Sequence, residues 1–299
     1  MIGEAVTMLL GTQNRDGGWP SSRGRASNTE CTSLATLALA RLDAGERAAA
    51  NRGVSWLIAC QNADGSWPLH REITTASWTT SLASLTLASI NREPSSAGRG
   101  ARWLLRQEPR TPGILASFVS RVAPHARVVE LDPSLKGWPW TTGVSSFVEP
   151  TAYALLALKR LRSRLPGVEL GARIDEAELM IYDRMCREGG WNYGNSVVLG
   201  AELWPYADVT ALTLLSLADH PDRRENERSL AVLQRMLTQV DSGLALSWTA
   251  LCLSAYGRDT APVLRRLHLA WTRTQFLADT RSIALAVLAM SDGARAVAP

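Results

Sequence analysis

Two carboxylic acids stand where this sequence could do acid–base chemistry, each just ahead of an apolar run. Glu149 lies in the stretch FVEPTA, followed by YALLAL, and Asp208 lies in ADVTALTLL. A carboxyl group that is buried in apolar surroundings stays protonated at higher pH and can then donate its proton. Glu149 and Asp208 are therefore the candidate catalytic residues.

The same positions also suit helix capping. When the apolar segments are aligned, Glu149 and Asp208 fall level with Glu30, Ser247 and Asp279. Asp and Ser are good N-caps, and acids near a helix N-terminus are favoured by the helix dipole. Capping is the favoured interpretation for Asp208, Ser247 and Asp279. Because Glu is a poorer N-cap, a catalytic acid and a helix end both remain open for Glu149.

Aromatic side chains are a second chemical resource near the starts of the same segments. Only 6% of the residues are aromatic, yet many of them gather there. Ring faces stabilise carbocations without reacting with them, and as a group these rings suggest an apolar cavity suited to an isoprenoid chain. For any single ring, packing is the simpler explanation. The predicted substrate-binding residues are Trp78, Trp138, Trp140, Phe147, Tyr153, Trp204, Tyr206 and Trp248.

A repeated unit must position these residues. The stretch QNRDGGWP at 13–20 returns as QNADGSWP at 61–68, a separation of 48 residues (61 minus 13). Each copy ends an amphipathic segment with helical spacing, and its Asn, Asp and Gly residues break the helix. A more apolar segment then follows. Self-similarity of this kind predicts an array of helical hairpins.

Six amphipathic segments alternate with six apolar ones along the chain. One polar face is the pattern of an outer helix, and an apolar surface all round is the pattern of a buried one. We predict an all-α fold, a closed (α/α)6 toroid over residues 1–299 with almost no β structure. The predicted outer helices cover roughly residues 2–13, 52–61, 98–107, 171–187, 225–239 and 260–276, and the inner segments begin at Glu30, Trp78, Glu149, Asp208, Ser247 and Asp279.

The interval between the second and third repeats is longer than the interval before it. The aligned positions Thr80 and Thr151 are 71 residues apart (151 minus 80), against 48 between Thr32 and Thr80 (80 minus 32). Long insertions in compact folds are commonly functional. Residues 108–140 are therefore a candidate lid or rim.

The repeat resembles a known motif. RGVSWLIACQNADGSW, residues 52–67, is similar to the QW motif of squalene and oxidosqualene cyclases and related class II terpene cyclases, whose toroid also occurs in protein prenyltransferase beta subunits. QNRDGGW, RGARWLLRQ and EGGWNYGN are partial matches, so the resemblance covers essentially the whole chain. It implies a structural role for Gln13, Trp19, Gln61 and Trp67, with each Gln amide reaching the backbone at a neighbouring helix end.

The resemblance also implies a role for Glu149. Class II terpene cyclases protonate an alkene or epoxide with the middle Asp of an Asp-x-Asp-Asp motif just ahead of Thr-Ala. Placing the Thr-Ala of FVEPTA on that pair puts Glu149 on the middle acid, whereas Phe147 and Pro150 replace its carboxylate neighbours. Other groups, such as Asp208 or Asp279, would then have to help set the protonation state of Glu149.

Metal and cofactor chemistry is not indicated. The four cysteines are far apart, the Asp-x-Cys zinc pair of the resembling prenyltransferases is missing, and the four histidines lie outside the starts of the inner segments. No Asp-rich motif for diphosphate ionisation occurs either. We therefore expect no metal and no cofactor.

Charge and hydropathy narrow the cellular setting. The 32 Lys and Arg residues nearly balance the 28 Asp and Glu residues and are scattered, so no nucleic-acid partner is expected. Cysteine usage fits a reducing compartment, the first residues do not resemble a signal peptide, and the longest apolar stretches are too short to span a bilayer. We expect a cytoplasmic protein, with peripheral membrane contact left open.

The leading hypothesis is a class II terpene cyclase-like protein that cyclises a polyprenyl substrate by protonation, with Glu149 as the acid. The alternative is a non-catalytic toroid that binds a hydrophobic ligand or serves as a subunit of a larger complex. Because the resembling families close their cavities with a second toroid or subunit, a homodimer, a partner chain or the 108–140 insertion is expected to close this one.

Overall fold

Helices form almost all of the regular structure. The computed structural model describes residues 1–110, 131–165, 168–291 and 293–299. In chain order the helices are α1 (Ile2–Thr12), α2 (Thr29–Leu39), α3 (Ala44–Cys60), α4 (Thr79–Ser89), α5 (Pro94–Leu105), α6 (Val148–Leu161), α7 (Gly171–Asp183), α8 (Ala207–Ser216), α9 (Arg224–Met236), α10 (Gly243–Ala255), α11 (Ala261–Thr274), α12 (Thr280–Met290) and α13 (Ala294–Val297). Strands β1 (Val197–Val198) and β2 (Ala201–Glu202) form one short antiparallel hairpin in these residues, so the prediction of almost no β structure is confirmed.

The even-numbered helices from α2 to α12 form a closed inner ring. Each packs on the next, and α12 packs back on α2. The odd-numbered helices lie outside, with α3 on α2, α5 on α4, α7 on α6, α9 on α8 and α11 on α10, while α1 packs on α12. The predicted (α/α)6 toroid is confirmed.

Burial follows the predicted pattern, in which inner helices are buried all round and outer helices are exposed on one face. In the inner helix α4, every residue from Thr79 to Ala88 is buried, whereas the outer helix α9 buries Asn226, Ser229, Leu230, Val232 and Leu233 on one face. Burying apolar surface on both rings supplies most of the favourable free energy of folding. Within the described ranges, no helix is both long and apolar enough to cross a membrane.

A buried tryptophan joins each of the first four outer helices to the inner helix that follows it. Its indole N–H donates to a carbonyl near the end of the outer helix, and its backbone N–H donates to a threonine hydroxyl in the first turns of the inner helix. We call this arrangement the tryptophan joint. The joints are Trp19 with Leu9 and Thr32, Trp67 with Leu57 and Thr80, Trp138 with Leu104 and Thr151, and Trp191 with Ile181 and Thr210, all at 2.7–2.9 Å.

The residue two positions after each of these tryptophans binds the preceding inner helix in the ring. Its carbonyl accepts the backbone N–H at the start of that helix. The pairs are Ser21 with Thr280, Leu69 with Thr29, Trp140 with Trp78 and Tyr193 with Val148, at 2.9–3.1 Å. The joints therefore fix where four neighbouring inner helices begin, and with that which side chains face the end of the ring.

The repeat glutamines link neighbouring outer helices. Gln13 Nε2 donates to the carbonyl of Ala49 in α3 at 2.9 Å, and Gln61 Nε2 donates to that of Ser96 in α5 at 2.9 Å. Arg52 Nε donates back to Gln13 Oε1 at 3.1 Å. These bonds give the conserved spacing within the repeat a purely structural explanation.

Trp138 belongs to the third tryptophan joint. The third repeat copy, RGARWLLRQ, lacks its tryptophan in sequence because residues 108–137 separate Gln107 from Trp138. In the structure Trp138 completes that joint and is buried, with the Arg173 guanidinium 3.9 Å above its ring. Trp138 therefore has a structural role in this joint, and its role in substrate binding stays a prediction. Residues 111–130 lie outside the described residues, so the lid or rim role of the insertion stays a prediction.

The glycines of the RG pair in the repeat allow the helices to approach closely. A Cβ on Gly100 in α5 would overlap the Ser84 hydroxyl of α4 and lie 2.8 Å from the Trp67 ring, whereas a Cβ on Gly45 in α3 would meet nothing within 4 Å. Overpacking of this kind costs more than the helix propensity that alanine gains.

We predict that Gly100→Ala destabilises the protein by about 1–3 kcal/mol. Gly45→Ala, the matched control, is expected to stabilise it by about 0.5 kcal/mol, because alanine has less freedom to lose when the chain folds. Urea denaturation followed by circular dichroism measures both. Equal effects of the two substitutions would contradict the close approach of α4 and α5.

Candidate functional site

Four charged side chains lie at the same helical position around one end of the inner ring, which we call the mouth. Each is the second residue of its helix: Glu30 in α2, Glu149 in α6, Asp208 in α8 and Arg281 in α12. Because α6 packs on α8 and α12 packs on α2, Glu149 neighbours Asp208 and Arg281 neighbours Glu30. The toroid thus brings three acids and one guanidinium together.

Capping explains fewer of these acids than the sequence indicated. The α6 and α8 N-caps are Phe147 and Tyr206, and neither cap makes a side-chain hydrogen bond, so the capping interpretation of Asp208 is wrong. Ser247 lies inside α10, which Ser242 caps. Asp279 does cap its helix, accepting the Ser282 N–H at 2.9 Å. Its carboxylate is therefore committed to α12 and is not the predicted helper of Glu149.

Glu149 and Asp208 open onto one small cavity. Its volume is about 10 Å³, which is room for about one water molecule. The lining residues are Glu149, Tyr153, Asp208, Val209, Leu212, Leu244, Trp248 and Arg281. Aliphatic and aromatic side chains form part of the wall, and the two carboxyl groups and the guanidinium form the rest. Both predicted catalytic residues are therefore brought together, but the cavity is much smaller than the isoprenoid-sized one predicted.

The carboxyl group of Glu149 stays protonated to a higher pH than that of an ordinary glutamic acid. Burial first, and the negative charge of Asp208 second, raise its pKa from 4.5 to about 7, while Arg281 acts in the opposite direction. Such a shift corresponds to about 3 kcal/mol, whereas a helix N-terminus favours the ionised form by about 0.3–1 kcal/mol. Burial and the neighbouring acid therefore prevail over the dipole.

The other charged groups at the mouth have direct partners. Arg281 Nη1 binds Glu30 Oε1 at 3.2 Å, and burial still raises the pKa of Glu30. The Tyr193 hydroxyl donates to Asp208 Oδ2 at 3.0 Å. Within the described residues the carboxyl group of Glu149 has no hydrogen-bond partner, which leaves its proton available to a bound molecule.

Four of the predicted aromatic residues form a connected series that leads to the cavity. Trp140 contacts Trp78 at a ring-centroid distance of 5.4 Å, Trp78 contacts Tyr153 at 5.1 Å, and Tyr153 contacts Trp248 at 6.0 Å. Tyr153 and Trp248 are buried and line the cavity beside Glu149. The series thus runs from half-buried rings at the mouth to the acid.

The remaining predicted aromatic residues lie farther out. Phe147 is half-buried at the start of α6, while Trp204 is 82% exposed and Tyr206 is 53% exposed. Trp204 and Tyr206 belong to an apolar rim around the mouth. The exposed rim residues, all in connections that lead into inner helices, are Ile73, Val144, Tyr193, Leu199, Leu203, Trp204, Tyr206 and Leu277. In the described part of the chain, the connections at the opposite end expose no large hydrophobic side chain.

Two residues of the mouth were missed from the sequence. Aligning Asp279 with Glu149 by residue type places Arg281 level with Thr151, but counting from the N-cap Asp279 places it level with Glu149, two residues after the cap Phe147. Tyr193 stands two residues after the joint residue Trp191. That position is the one Trp140 occupies after Trp138, so the repeat itself could have identified it.

A second cluster of titratable groups lies at the far end of the ring. Glu178, Asp219 and His220 are close enough to share a metal ion, but the ammonium group of Lys159 already lies among them. Its Nζ is 2.6 Å from Glu178 and 2.5 Å from Asp219. The lysine forms an ion pair with both acids, so this cluster is explained as an ion-pair network between α6, α7 and the end of α8.

Similarity to known proteins supports the fold. No family model matches this sequence, and no curated protein matches it. Among solved structures, a variant of the type II terpene cyclase MstE from Scytonema in complex with geranylgeranyl dihydroxybenzoate has a TM-score of 0.64 at 16% identity, covering 99% of this chain and 97% of that chain. A protein from Actinoplanes has a TM-score of 0.60 at 18% identity, with 98% of each chain covered.

The same ring also occurs in a glycosidase-type protein. A novel alpha-amylase from Clostridium perfringens has a TM-score of 0.64 at 10% identity, covering 98% of each chain. The chain thus has the terpene cyclase-like α-toroid fold. Because enzymes of different chemistry share the ring to the same degree, function has to be argued from the site.

We predict that the stability of the protein depends on the titration of Glu149. Since its pKa is raised in the folded state, the stabilisation is complete below pH 4.5 and is lost as pH rises through about 7. Relative to Glu149→Gln, which does not titrate, wild-type protein should therefore lose about 3 kcal/mol of unfolding free energy between pH 4 and pH 8. Urea denaturation of both proteins across this range measures the difference, and a pH-independent difference would show that the carboxyl group is not perturbed.

Proposed function

We propose that this protein is a class II terpene cyclase-like enzyme that starts cyclisation of a polyprenyl substrate by protonation, with Glu149 as the Brønsted acid. The observation that carries the proposal is the largely buried carboxyl group of Glu149, whose pKa is raised to about 7, which has no hydrogen-bond partner among the described residues and shares a cavity with Tyr153 and Trp248. Such a group is protonated in a large fraction of molecules at neutral pH, as a proton donor must be.

The charges of the mouth suit a cationic reaction. When Glu149 gives its proton to an alkene, a carbocation forms beside the new carboxylate. Asp208 and Glu30 add negative charge nearby, and Arg281 balances only part of it. The faces of Tyr153 and Trp248 can then stabilise the cation as it moves along the chain. The same negative charge disfavours a diphosphate at the acid, so the hydrocarbon end of the substrate is expected there.

Substrate binding requires the cavity to widen. Ligand pockets usually measure about 300–1,000 Å³, and the cavity beside Glu149 holds about 10 Å³. Trp78, Tyr153 and Trp248 pack against one another there, and their rotation is the simplest way to open space along the centre of the ring. A groove of about 480 Å³ on the outer face, between α9 and α11, has no carboxyl pair and is a poorer candidate for this chemistry.

We propose that a single ring is enough for this reaction. The solved MstE structure, itself matched over 97% of its chain, is in complex with a geranylgeranyl compound named as its substrate. This supports an isoprenoid ligand and a cyclase of similar length to this chain. We propose that the apolar rim, with its exposed Trp204 and Tyr206, receives the hydrocarbon chain and makes peripheral contact with a membrane, because Trp and Tyr favour the lipid–water interface.

A non-catalytic hydrophobic-ligand binder is the second candidate. The observations that favour it are the small cavity and the replacement of the flanking acids by Phe147 and Pro150. It predicts binding of prenyl compounds without their conversion. A pair of carboxyl groups could also serve sugar hydrolysis, so the experiment below includes maltooligosaccharides.

Product analysis separates these functions. Purified protein is incubated with squalene, geranylgeranyl diphosphate and shorter prenyl diphosphates, and the extracts are examined by gas chromatography and mass spectrometry. We expect a cyclic product from at least one of them. Glu149→Gln should lower its rate by a factor of about 10² or more, since general acid catalysis contributes at least that much.

The matched control is Glu227→Gln on the exposed face of α9, which should leave the rate unchanged. Binding of the same compounds without product in wild-type protein would favour the non-catalytic binder. Wild-type rates in Glu149→Gln would refute its role as the acid, and release of reducing sugar from maltooligosaccharides would move the protein to the glycosidases.

A further inference from the structure

Four consecutive residues in the connection between α11 and α12 have a left-handed backbone, although each of them carries a Cβ. The φ angles of Gln275, Phe276, Leu277 and Ala278 are 45°, 53°, 54° and 57°. Gln275 ends α11, where one left-handed residue is common, but the next three have no such explanation. A left-handed backbone is unfavourable for residues other than glycine. It persists where the surrounding structure holds it, commonly at binding sites and switches.

Phe276 is the side chain that holds this turn in place. It is buried, and its ring lies 5.3 Å from that of Trp271 in α11. The same ring lies against Gly243, the first residue of α10, where an added Cβ would come within 2.4 Å of it. Leu277, by contrast, is 86% exposed. The packing of one aromatic ring therefore opposes the strain of the backbone.

The turn lies between the two inner helices whose starts have no tryptophan joint. The connections that lead into α10 and α12 contain no tryptophan. The two helices pack side by side, and both line the cavity beside Glu149. The side chains that they contribute are Leu244, Trp248 and Arg281. A movement of the first turn of α10 would therefore widen this cavity from the side.

We propose that residues 275–278 are a gate through which a prenyl chain enters the ring between the starts of α10 and α12. In the closed state the turn is left-handed and Phe276 covers Gly243. The gate opens when the turn relaxes to ordinary backbone angles and Phe276 leaves Gly243, which frees the first turn of α10 to move. Because the strain released offsets part of the packing lost, the open state is accessible while the ring stays folded. The choice of a prenyl ligand rests on the proposed function.

Leu277→Gly and Leu277→Ala form a matched pair that tests the role of the strain. Both remove the same exposed side chain, but only glycine adopts a left-handed backbone at little cost. Opening should therefore be less favourable in Leu277→Gly by a factor of about five or more. Hydrogen exchange, followed by mass spectrometry, should be slower by this factor for the Leu246 N–H, which donates to the Ser242 carbonyl at 2.9 Å in the first turn of α10. The Thr210 N–H in α8, which a tryptophan joint holds, should exchange equally in both variants.

Ligand entry is measured with tritium-labelled geranylgeraniol, whose association and dissociation are followed by rapid filtration. Both rates should be about fivefold slower in Leu277→Gly than in Leu277→Ala, because they scale with the population of the open gate. The Kd should be unchanged, since the gate closes again behind the bound chain. Phe276→Ala, which removes the ring that holds the gate closed, should accelerate both rates. Thermal unfolding shows that each variant is folded.

The outcomes separate the gate from the proposed function. Equal exchange of the Leu246 N–H in the two Leu277 variants would show that the strain does not control the gate. Slower exchange with unchanged ligand rates would show that the ligand enters elsewhere, and a wild-type protein that binds no geranylgeraniol would have no prenyl chain to admit. Each of these results overturns the inference and leaves the acid role of Glu149 to its own test. Gated binding without conversion of any prenyl compound would instead support the gate and remove the proposed function.

Discussion

The tryptophan joint is the interaction on which the rest of the structure depends. Each buried indole ties the end of an outer helix to the start of an inner one, and the carbonyl two residues later ties that connection to the neighbouring inner helix. Buried N–H groups must be paired or they cost free energy, so the joints leave little freedom in where an inner helix begins. A helix that began one residue later would rotate its second residue by about 100°. The charged mouth is thus a consequence of the joints.

The electrostatics of the mouth follow from that placement. Glu149 and Asp208 are at equivalent positions of adjacent helices, so the charge of one disfavours ionisation of the other. The two acids nevertheless have different surroundings. Asp208 accepts a hydrogen bond from Tyr193, whereas Glu149 faces Tyr153 and Trp248. Two acids in unlike environments can take unlike roles.

The sequence predicted the fold well because the repeat carries it. Helical spacing and the recurring Gln, Gly and Trp determine helices and their order, and all six hairpins are found. Errors fall where the repeat is interrupted or incomplete. The insertion concealed the role of Trp138, and α10, whose connection has no tryptophan joint, begins at Gly243 and not at Ser247. Arg281 and Tyr193 were not identified because an alignment by residue type does not show at which residue a helix begins. The cavity volume depends on packing between six helices, which no sequence pattern specifies.

The central claim is that Glu149 delivers a solvent-exchangeable proton to a prenyl carbon, and isotope incorporation tests it most directly. The protein is equilibrated in deuterium oxide, incubated with the prenyl substrate and its product is analysed by mass spectrometry. Protonation by Glu149 predicts one deuterium in the cyclic product, at the carbon where the reaction starts, and formation of this labelled product slower by a factor of about 10² or more in Glu149→Gln. A cyclic product without deuterium, or a labelled product from Glu149→Gln at the wild-type rate, would contradict the account.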